Sequence, residues 1–208
     1  MHTWVEISKK AIEYNIKQIR QLIGPDVLLM PVIKANAYGH GFLEIAKICQ
    51  QNREVNRICV VNSDEALQLI NHGINKPIQI LSFYDFDENI LLKLANLLYA
   101  FGDGGQIIFP LYTLEQAKIL NKIGDKAKIN VKVHLKIDIG ASRIGILPSD
   151  LKDFIRRIKK YKYLEIEGVF GHYSSSEENK RVTLRQLKIF KTALAVLNDL
   201  DINPSIKH

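Results

Sequence analysis

Two patterns of apolar and polar positions repeat along the chain: short apolar runs, and longer stretches with apolar residues at helical spacing. The short runs predict strands over residues 4–7, 27–33, 57–61, 77–81, 106–109, 130–139, 164–172 and 204–208. The amphipathic stretches predict helices over residues 8–22, 42–51, 63–71, 88–99, 113–121, 148–160 and 181–197. Ser8, Ser63 and Thr113 are the predicted N-caps of the first, third and fifth helices.

Strand and helix alternate regularly after the leading helix. This order favours a parallel sheet with right-handed crossovers, and the number of repeats favours a (β/α)₈ barrel over an open sheet. Leaving aside the short run near the N-terminus, the pattern supplies about seven strands rather than eight. We therefore predict an α/β fold, an incomplete TIM-type barrel, with residues 1–208 forming one domain truncated before its last strand.

Composition narrows the class of protein without deciding its function. Hydrophobic residues make up 47% and charged residues 25% of the chain, as in ordinary globular domains. The net charge of +7 comes from scattered Lys and Arg, so we expect no nucleic-acid partner. Cys49 and Cys59 fit neither a metal site nor a disulfide framework. No secretory signal or membrane-length apolar run is visible, and we expect a cytoplasmic protein without a metal.

The stretch V-L-L-M-P-V-I-K-A-N-A-Y-G-H-G, residues 27–41, carries the first candidate chemistry. Lys34 lies at the C-terminal tip of the predicted buried strand, where its stem is desolvated and its amine faces a cavity. Tyr38 follows within one turn and offers a hydroxyl to a ligand. Gly39 and Gly41 allow close approach of the backbone to an anion. Taken alone, a lysine in this position is usually a solvated residue at the rim of the sheet.

The string V-I-K-A-N-A-Y-G-H-G resembles the cofactor-lysine signature of the alanine racemases, pyridoxal-phosphate enzymes with a barrel fold. The resemblance extends over residues 4–208. It implies that Lys34 binds pyridoxal 5'-phosphate and acts as a catalytic base, and that Tyr38 contacts the cofactor. It also implies interconversion of L- and D-alanine through a cofactor aldimine and a carbanion, which supplies D-alanine for peptidoglycan.

A second string, H-L-K-I-D-I-G-A-S-R-I-G-I, covers residues 134–146. His134, Lys136 and Asp138 share one face of the predicted strand by alternation. The residues alone favour a salt-bridged rim, although the planar fork of Arg143 also suits a carboxylate or a phenolate. The resemblance implies that Arg143 binds the phenolic oxygen of the cofactor and the substrate carboxylate. It further implies that Lys136 is carbamylated and braces the arginine.

A third string, E-G-V-F-G-H-Y-S-S-S-E-E, covers residues 167–178. His172 alone reads as a structural histidine at a strand end, whereas the resemblance makes it a cofactor-side histidine. The chain also departs from the family pattern. Ile139 and Ala141 stand where the family usually has threonine and methionine, and Gly171 stands where it has threonine. These departures flank the site and leave the preferred amino-acid side chain open.

The resemblance implies further parts that cannot be placed in these 208 residues. They are a serine for the cofactor phosphate, an arginine opposite the pyridine nitrogen, the last strand, and a C-terminal β-domain. In the family's homodimer that domain supplies a tyrosine as the second base. We therefore expect the chain to be the cofactor-lysine-bearing N-terminal part of a racemase, inactive alone. Two alternatives are a non-catalytic pyridoxal-phosphate-binding barrel, whose lysine string differs, and a degenerate remnant without cofactor.

Overall fold

The computed structural model describes residues 3–82, residue 89 and residues 107–208. The chain forms two compact units, Met1–Asp85 and Phe86–His208. The first contains α1 (Lys9–Ile23), α2 (Phe42–Gln51), β1 (Ile58–Val60), α3 (Ser63–Asn71) and β2 (Ile78–Ile80). The second contains β3 (Ile107–Leu111), α4 (Leu114–Ala127), β4 (Val131–Lys136), α5 (Pro148–Ile158), β5 (Leu164–Phe170), α6 (Lys180–Asn198) and β6 (Ile206–Lys207). None of the described helices is both long enough and apolar enough to span a membrane.

Two of the predicted N-caps are confirmed. The Ser8 hydroxyl accepts a hydrogen bond of 3.2 Å from the Ala11 amide at the start of α1. Thr113 and Gln116 form a capping box at the start of α4, each side chain accepting the other residue's backbone N–H. Residues with short polar side chains therefore set these boundaries locally, as the sequence pattern indicated.

Three local predictions are wrong. Residues 4–7 form no strand. Ser63 is the first residue of α3, and the cap is Asn62, whose side chain accepts the Glu65 amide at 2.9 Å. α4 extends beyond residue 121, because the buried Ile123 continues its apolar face. The predicted helix 88–99 lies outside the described residues, apart from Asn89.

All paired strands are parallel, as predicted. In the first unit β1 pairs with β2, and Ile58 lies opposite Ile78. In the second unit the strands are ordered β3, β4, β5, β6, and His134 lies opposite Gly168. Isoleucine and leucine side chains from these strands are fully buried and form the core of each unit. The described residues thus contain six strands of the seven that the pattern supplied.

The predicted strand 27–33 is only partly formed. It pairs with β1 through hydrogen bonds from Cys59 N to Pro31 O, 2.8 Å, and from Ile33 N to Cys59 O, 2.9 Å. Ile33 is 2% exposed, whereas Val32 is 38% exposed. The segment that was predicted to be a buried strand is therefore buried on one face only. Successive side chains of an extended segment point to opposite faces, and only one face is covered within the described part of the chain.

Arg20 ties α1 to the start of this segment. Its guanidinium donates to the carbonyl oxygens of Gly24, Val27 and Glu54 at distances of 2.6 to 2.8 Å. Its Nε lies 2.9 Å from a carboxylate oxygen of Glu54. A planar group with five donors can satisfy several carbonyls at once, which a lysine cannot do with the same geometry. The contacts hold α1 and the segment that leads to Lys34 in one arrangement.

Candidate active site

The chain turns in a left-handed sense directly after Lys34. Ala35, Asn36, Ala37 and Tyr38 have φ values of 51°, 56°, 50° and 54°. For residues with a Cβ atom this conformation costs about 1–2 kcal/mol each, since Cβ crowds the following carbonyl oxygen. We call Lys34–Tyr38 the lysine turn. A run of four such residues persists only where surrounding contacts hold it.

The side chains of Glu65 and Asn36 hold the lysine turn. The Ala35 amide donates to Oε1 of Glu65 in α3 at 2.8 Å. Asn36 Oδ1 accepts the first amide of α2, that of Phe42, at 2.9 Å. This contact of Glu65 was not predicted, because a glutamate in the first turn of a helix is usually explained as a favourable charge at the helix N-terminus.

Lys34 and Tyr38 lie next to each other at the two ends of the lysine turn. Lys34 Nζ is 5.9 Å from the centroid of the Tyr38 ring. Tyr38 is exposed and Lys34 is half-buried, so the expected dry surroundings of the amine are not found within this unit. A primary amine beside a phenolic hydroxyl matches the chemistry of a ligand that carries an aldehyde and a phosphate. These two residues therefore fit pyridoxal phosphate.

In the second unit, Lys136 is the last residue of β4. Residues 137–146 follow it, and we call them the Arg143 loop. Lys136 is 5% exposed, and its Nζ lies 4.2 Å from the centroid of the Phe170 ring, a cation–π contact. The loop closes on the strand end through hydrogen bonds from Ile146 N to Lys136 O, 2.8 Å, and from Asp138 N to Ile146 O, 3.0 Å. Sequence alternation correctly placed His134 and Lys136 on a common face, and both are buried.

The Arg143 loop is shaped by Asp138. Asp138 Oδ1 accepts the amides of Gly140 at 2.9 Å and of Ser142 at 3.1 Å. Gly145 has a φ of 138°, and a Cβ atom there would lie 2.5 Å from Asp138 N, so only glycine fits. The Arg143 guanidinium is exposed and makes no hydrogen bond or ion pair to a described residue of this unit. It is therefore accessible to an anionic ligand.

His172 lies outside the strand that was predicted to end with it. β5 ends at Phe170, and the Gly171 amide donates to the His208 carbonyl at 2.9 Å. His172 is exposed in the loop that follows. The strand ends early because residues 171–173 no longer pair as a ladder with β4. Of the five predicted site residues, Lys34 and Tyr38 belong to the first unit, and Lys136, Arg143 and His172 belong to the second.

A pair of hydrogen-bonded histidines, His134 and His208, lies beside Lys136 and was not predicted. The His134 ring is fully buried, with Nε2 2.9 Å from Glu167 Oε2 and Nδ1 2.9 Å from His208 Nε2. The His208 ring stacks on Phe170, the residue under Lys136, with ring centroids 4.9 Å apart. The sequence signal was weak, because these residues lie on β4, on β5 and directly after β6, and share no short spacing.

The same network explains the glycine at position 168. A Cβ atom there would lie 2.5 Å from the His134 ring. Glycine therefore provides the space that the imidazole occupies on the neighbouring strand. Glu167 also contacts Lys132 Nζ at 3.2 Å, so its carboxylate is shared between a histidine and a lysine.

Two of the departures from the family pattern are in contact. A Cβ atom at Gly171 would lie 2.8 Å from Cδ1 of Ile139, and Ile139 is 1% exposed. The isoleucine thus fills the space that a side chain at position 171 would need. Residue-by-residue inspection of the sequence did not show that these two positions share one space.

The chain is similar in sequence to alanine racemases. The family described as "Alanine racemase, N-terminal domain" matches residues 7–208. The alanine racemase of Methanococcus maripaludis is 37% identical over 99% of this chain and 52% of its own length. That of Halothermothrix orenii is 32% identical, with the same coverage. The chain thus spans about half the length of the curated relatives it matches.

Solved structures show the same fold. The alanine racemase of Clostridium difficile 630 matches with a TM-score of 0.87 and 29% identity, over all of this chain and 52% of its own. A histidine racemase from Leuconostoc mesenteroides matches with a TM-score of 0.78 and 25% identity, over 97% of this chain and 51% of its own. These matches confirm the predicted fold class, an incomplete α/β barrel of the TIM type. Fold and sequence agree over nearly the whole chain. The chain therefore belongs to the alanine racemase family and corresponds to its N-terminal domain.

Proposed function

We propose that this chain is the cofactor-lysine-bearing part of an alanine racemase, with residues 1–208 forming its pyridoxal-phosphate-binding domain. The proposed enzyme interconverts L- and D-alanine in the cytoplasm and supplies D-alanine for peptidoglycan. The observation that carries the proposal is the half-buried Lys34, whose amine lies 5.9 Å from the centroid of the Tyr38 ring on a turn held by Glu65 and Asn36. The relatives that match the whole chain support it.

Each predicted site residue has a role in this proposal. Lys34 Nζ binds the cofactor aldehyde and moves a proton to or from one face of the substrate α-carbon. Tyr38 binds the cofactor through its hydroxyl, and His172 lies on the cofactor side. The exposed fork of Arg143 binds the carboxylate of the amino acid and the phenolic oxygen of the cofactor. When bound, the pyridine ring of the cofactor would supply an electron sink next to the substrate α-carbon.

Lys136 has a different role in the proposal. Its amine is buried against Phe170, and we propose that carbamylation converts it to an anion that braces Arg143. A carbamate is an anion with two acceptor oxygens, which suits the planar fork of an arginine. Carbon-13 NMR of the native protein in labelled bicarbonate tests this role, because a carbamate loses CO2 when it is acidified. A carbamate resonance that Lys136→Arg removes supports the role, and no such resonance in the wild-type protein contradicts it.

Racemisation needs proton transfer on both faces of the α-carbon and hence two acid–base groups. Lys34 serves one face, and the proposal assigns the second to no residue of this chain. We therefore expect residues 1–208 alone not to convert L-alanine to D-alanine. We expect the complete enzyme to be a homodimer, as the resemblance implies.

The decisive experiment is covalent labelling. Borohydride reduction in the presence of pyridoxal phosphate, followed by peptide mapping, should place the label on Lys34. Lys34→Arg should abolish this label, because a guanidinium does not condense with the aldehyde under these conditions. Lys47→Arg, an exposed lysine of the same unit, should leave it unchanged. Label spread over surface lysines, with none on Lys34, would favour the remnant without cofactor.

Activity assays on the intact protein separate the remaining alternatives. Alanine, serine and histidine should be compared, since a histidine racemase shares this fold. We expect the highest kcat/KM with alanine. Label on Lys34 without racemisation of any of them by the intact protein would favour a non-catalytic carrier of pyridoxal phosphate.

A further inference from the structure

The Glu65 carboxylate connects three elements around the lysine turn. Glu65 lies in the first turn of α3, and its backbone amide donates a hydrogen bond of 2.9 Å to Asn62 Oδ1. One carboxylate oxygen accepts the Ala35 amide at 2.8 Å, and the other accepts the Val61 amide at 2.7 Å. Hydrogen bonds from N–H groups to an ionised carboxylate at these lengths are stronger than neutral ones. The carboxylate thus bridges the end of β1 and the residue after Lys34.

The hydrogen bond from the Ala35 amide to Glu65 matters because of the backbone conformation that begins at Ala35. Ala35 has a φ of 51° and is the first of four consecutive left-handed residues. It immediately follows Lys34, so the direction of the Ala35 peptide also sets where the Lys34 side chain begins. At the far end the turn is held separately by Asn36 and Phe42. Without Glu65, no other side chain of the described residues accepts the Ala35 amide.

We propose that Glu65 is a positioning residue for Lys34: its carboxylate fixes the Ala35 amide and so presents the Lys34 amine to the aldehyde of pyridoxal phosphate. This inference rests on the proposed function of Lys34. Glu65 itself does not react. It acts through the backbone by holding the turn in the conformation that the free backbone disfavours.

The test uses Glu65→Ala and Glu65→Gln in the intact protein, with Asp64→Asn as the matched control. Asp64 is the neighbouring acidic residue in the first turn of α3, is exposed, and loses the same charge on substitution. Three quantities are measured: amide hydrogen exchange at Ala35 without cofactor, the dissociation constant for pyridoxal phosphate, and the urea midpoint. Hydrogen exchange reports only how firmly the Ala35 amide is held. The dissociation constant reports how this affects binding of pyridoxal phosphate to Lys34.

We expect Glu65→Ala to lower the protection of the Ala35 amide and the affinity for pyridoxal phosphate by about tenfold or more each, the effect of one lost charge-assisted hydrogen bond. Glu65→Gln should lie between this variant and wild type, because its amide oxygen accepts only one of the two N–H groups well. Asp64→Asn should match wild type in all three measurements.

Wild-type affinity for pyridoxal phosphate in both Glu65 variants would overturn the inference. It would also be overturned if affinity per folded molecule stayed unchanged while only the urea midpoint fell, since this is a purely structural effect. If Glu65→Ala does not fold, Glu65→Gln carries the same comparison. Failure of the proposed function looks different: wild-type protein then shows no label on Lys34, while Ala35 exchange still responds to Glu65→Ala.

Discussion

Individual residues of the second unit show that substitutions near the candidate site are coupled. Ile139 occupies the volume next to Gly171, and His134 occupies the volume next to Gly168. In each pair, the larger side chain occupies the space that the neighbouring glycine leaves open. A change at one position therefore has a cost that depends on the other.

The pair Ile139 and Gly171 gives the first prediction. Gly171→Thr alone should lower the free energy of unfolding by about 1–3 kcal/mol, because its Cβ would overlap Ile139. Adding Ile139→Thr should recover part of this loss, with a coupling energy of about 0.5–3 kcal/mol from a double-mutant cycle in urea. The same cycle with Ile155→Val, a buried residue of α5, should be additive. Additive costs for Ile139 and Gly171 would show that they do not share the space.

At the scale of elements, helix boundaries position the candidate chemistry. The N-terminus of α3 brings Glu65 to the lysine turn, and the Asn62 cap fixes where that helix begins. The end of β4 and the closed loop after it carry Arg143. The functional side chains thus depend on how each helix or strand starts and ends rather than on its interior.

The cap of α3 gives the second prediction. Asn62→Ala should lower the free energy of unfolding by about 1 kcal/mol, since the Glu65 amide loses its acceptor. Ser63→Ala should have an effect near zero or slightly stabilising, because the buried Ser63 hydroxyl makes no hydrogen bond to a described residue. Urea unfolding of the two single variants measures the difference. A larger cost at Ser63 than at Asn62 would restore Ser63 as the cap that the sequence pattern indicated.

At the scale of the whole molecule, buried thiols link stability to pH. Burial raises the pKa of Cys49 to about 11, an effect partly offset by the Lys76 ammonium. Burial likewise raises the pKa of Cys59 to about 12. A raised pKa in the folded state means that folding favours the protonated thiol, so this contribution is complete at low pH and is lost as pH rises.

The thiols give the third prediction. The free energy of unfolding should fall from about pH 9 towards pH 11, as the unfolded thiols ionise before the folded ones. In the variant Cys49→Ala/Cys59→Ala this slope should be smaller, although the cavities lower stability at every pH. Urea unfolding across this range measures both. An unchanged slope in the double variant would assign the effect to other groups whose pKa is raised in the folded state, such as Lys128 beside Asp125.

Sequence pattern alone was sufficient for features that depend on near neighbours. The caps at Ser8 and Thr113, the helix Phe42–Gln51 and the parallel strand order follow from local spacing and alternation. The resemblance at Lys34, Arg143 and His172 identified the family that the comparisons show. These signals are local because a capping hydroxyl or an apolar stripe acts within a few residues of its own position.

Only the tertiary structure decided the contacts between residues that are far apart in the sequence. Glu65 meets Ala35 across 30 positions, and His134 meets His208 across 74. The left-handed lysine turn is likewise invisible in a string of alanine, asparagine and tyrosine, since its conformation is imposed by partners elsewhere. By itself, then, the sequence determined the class of fold and singled out the lysine that we propose carries the chemistry. The way that lysine is held depended on folding, because distant acceptors must be brought to a backbone that disfavours its own conformation.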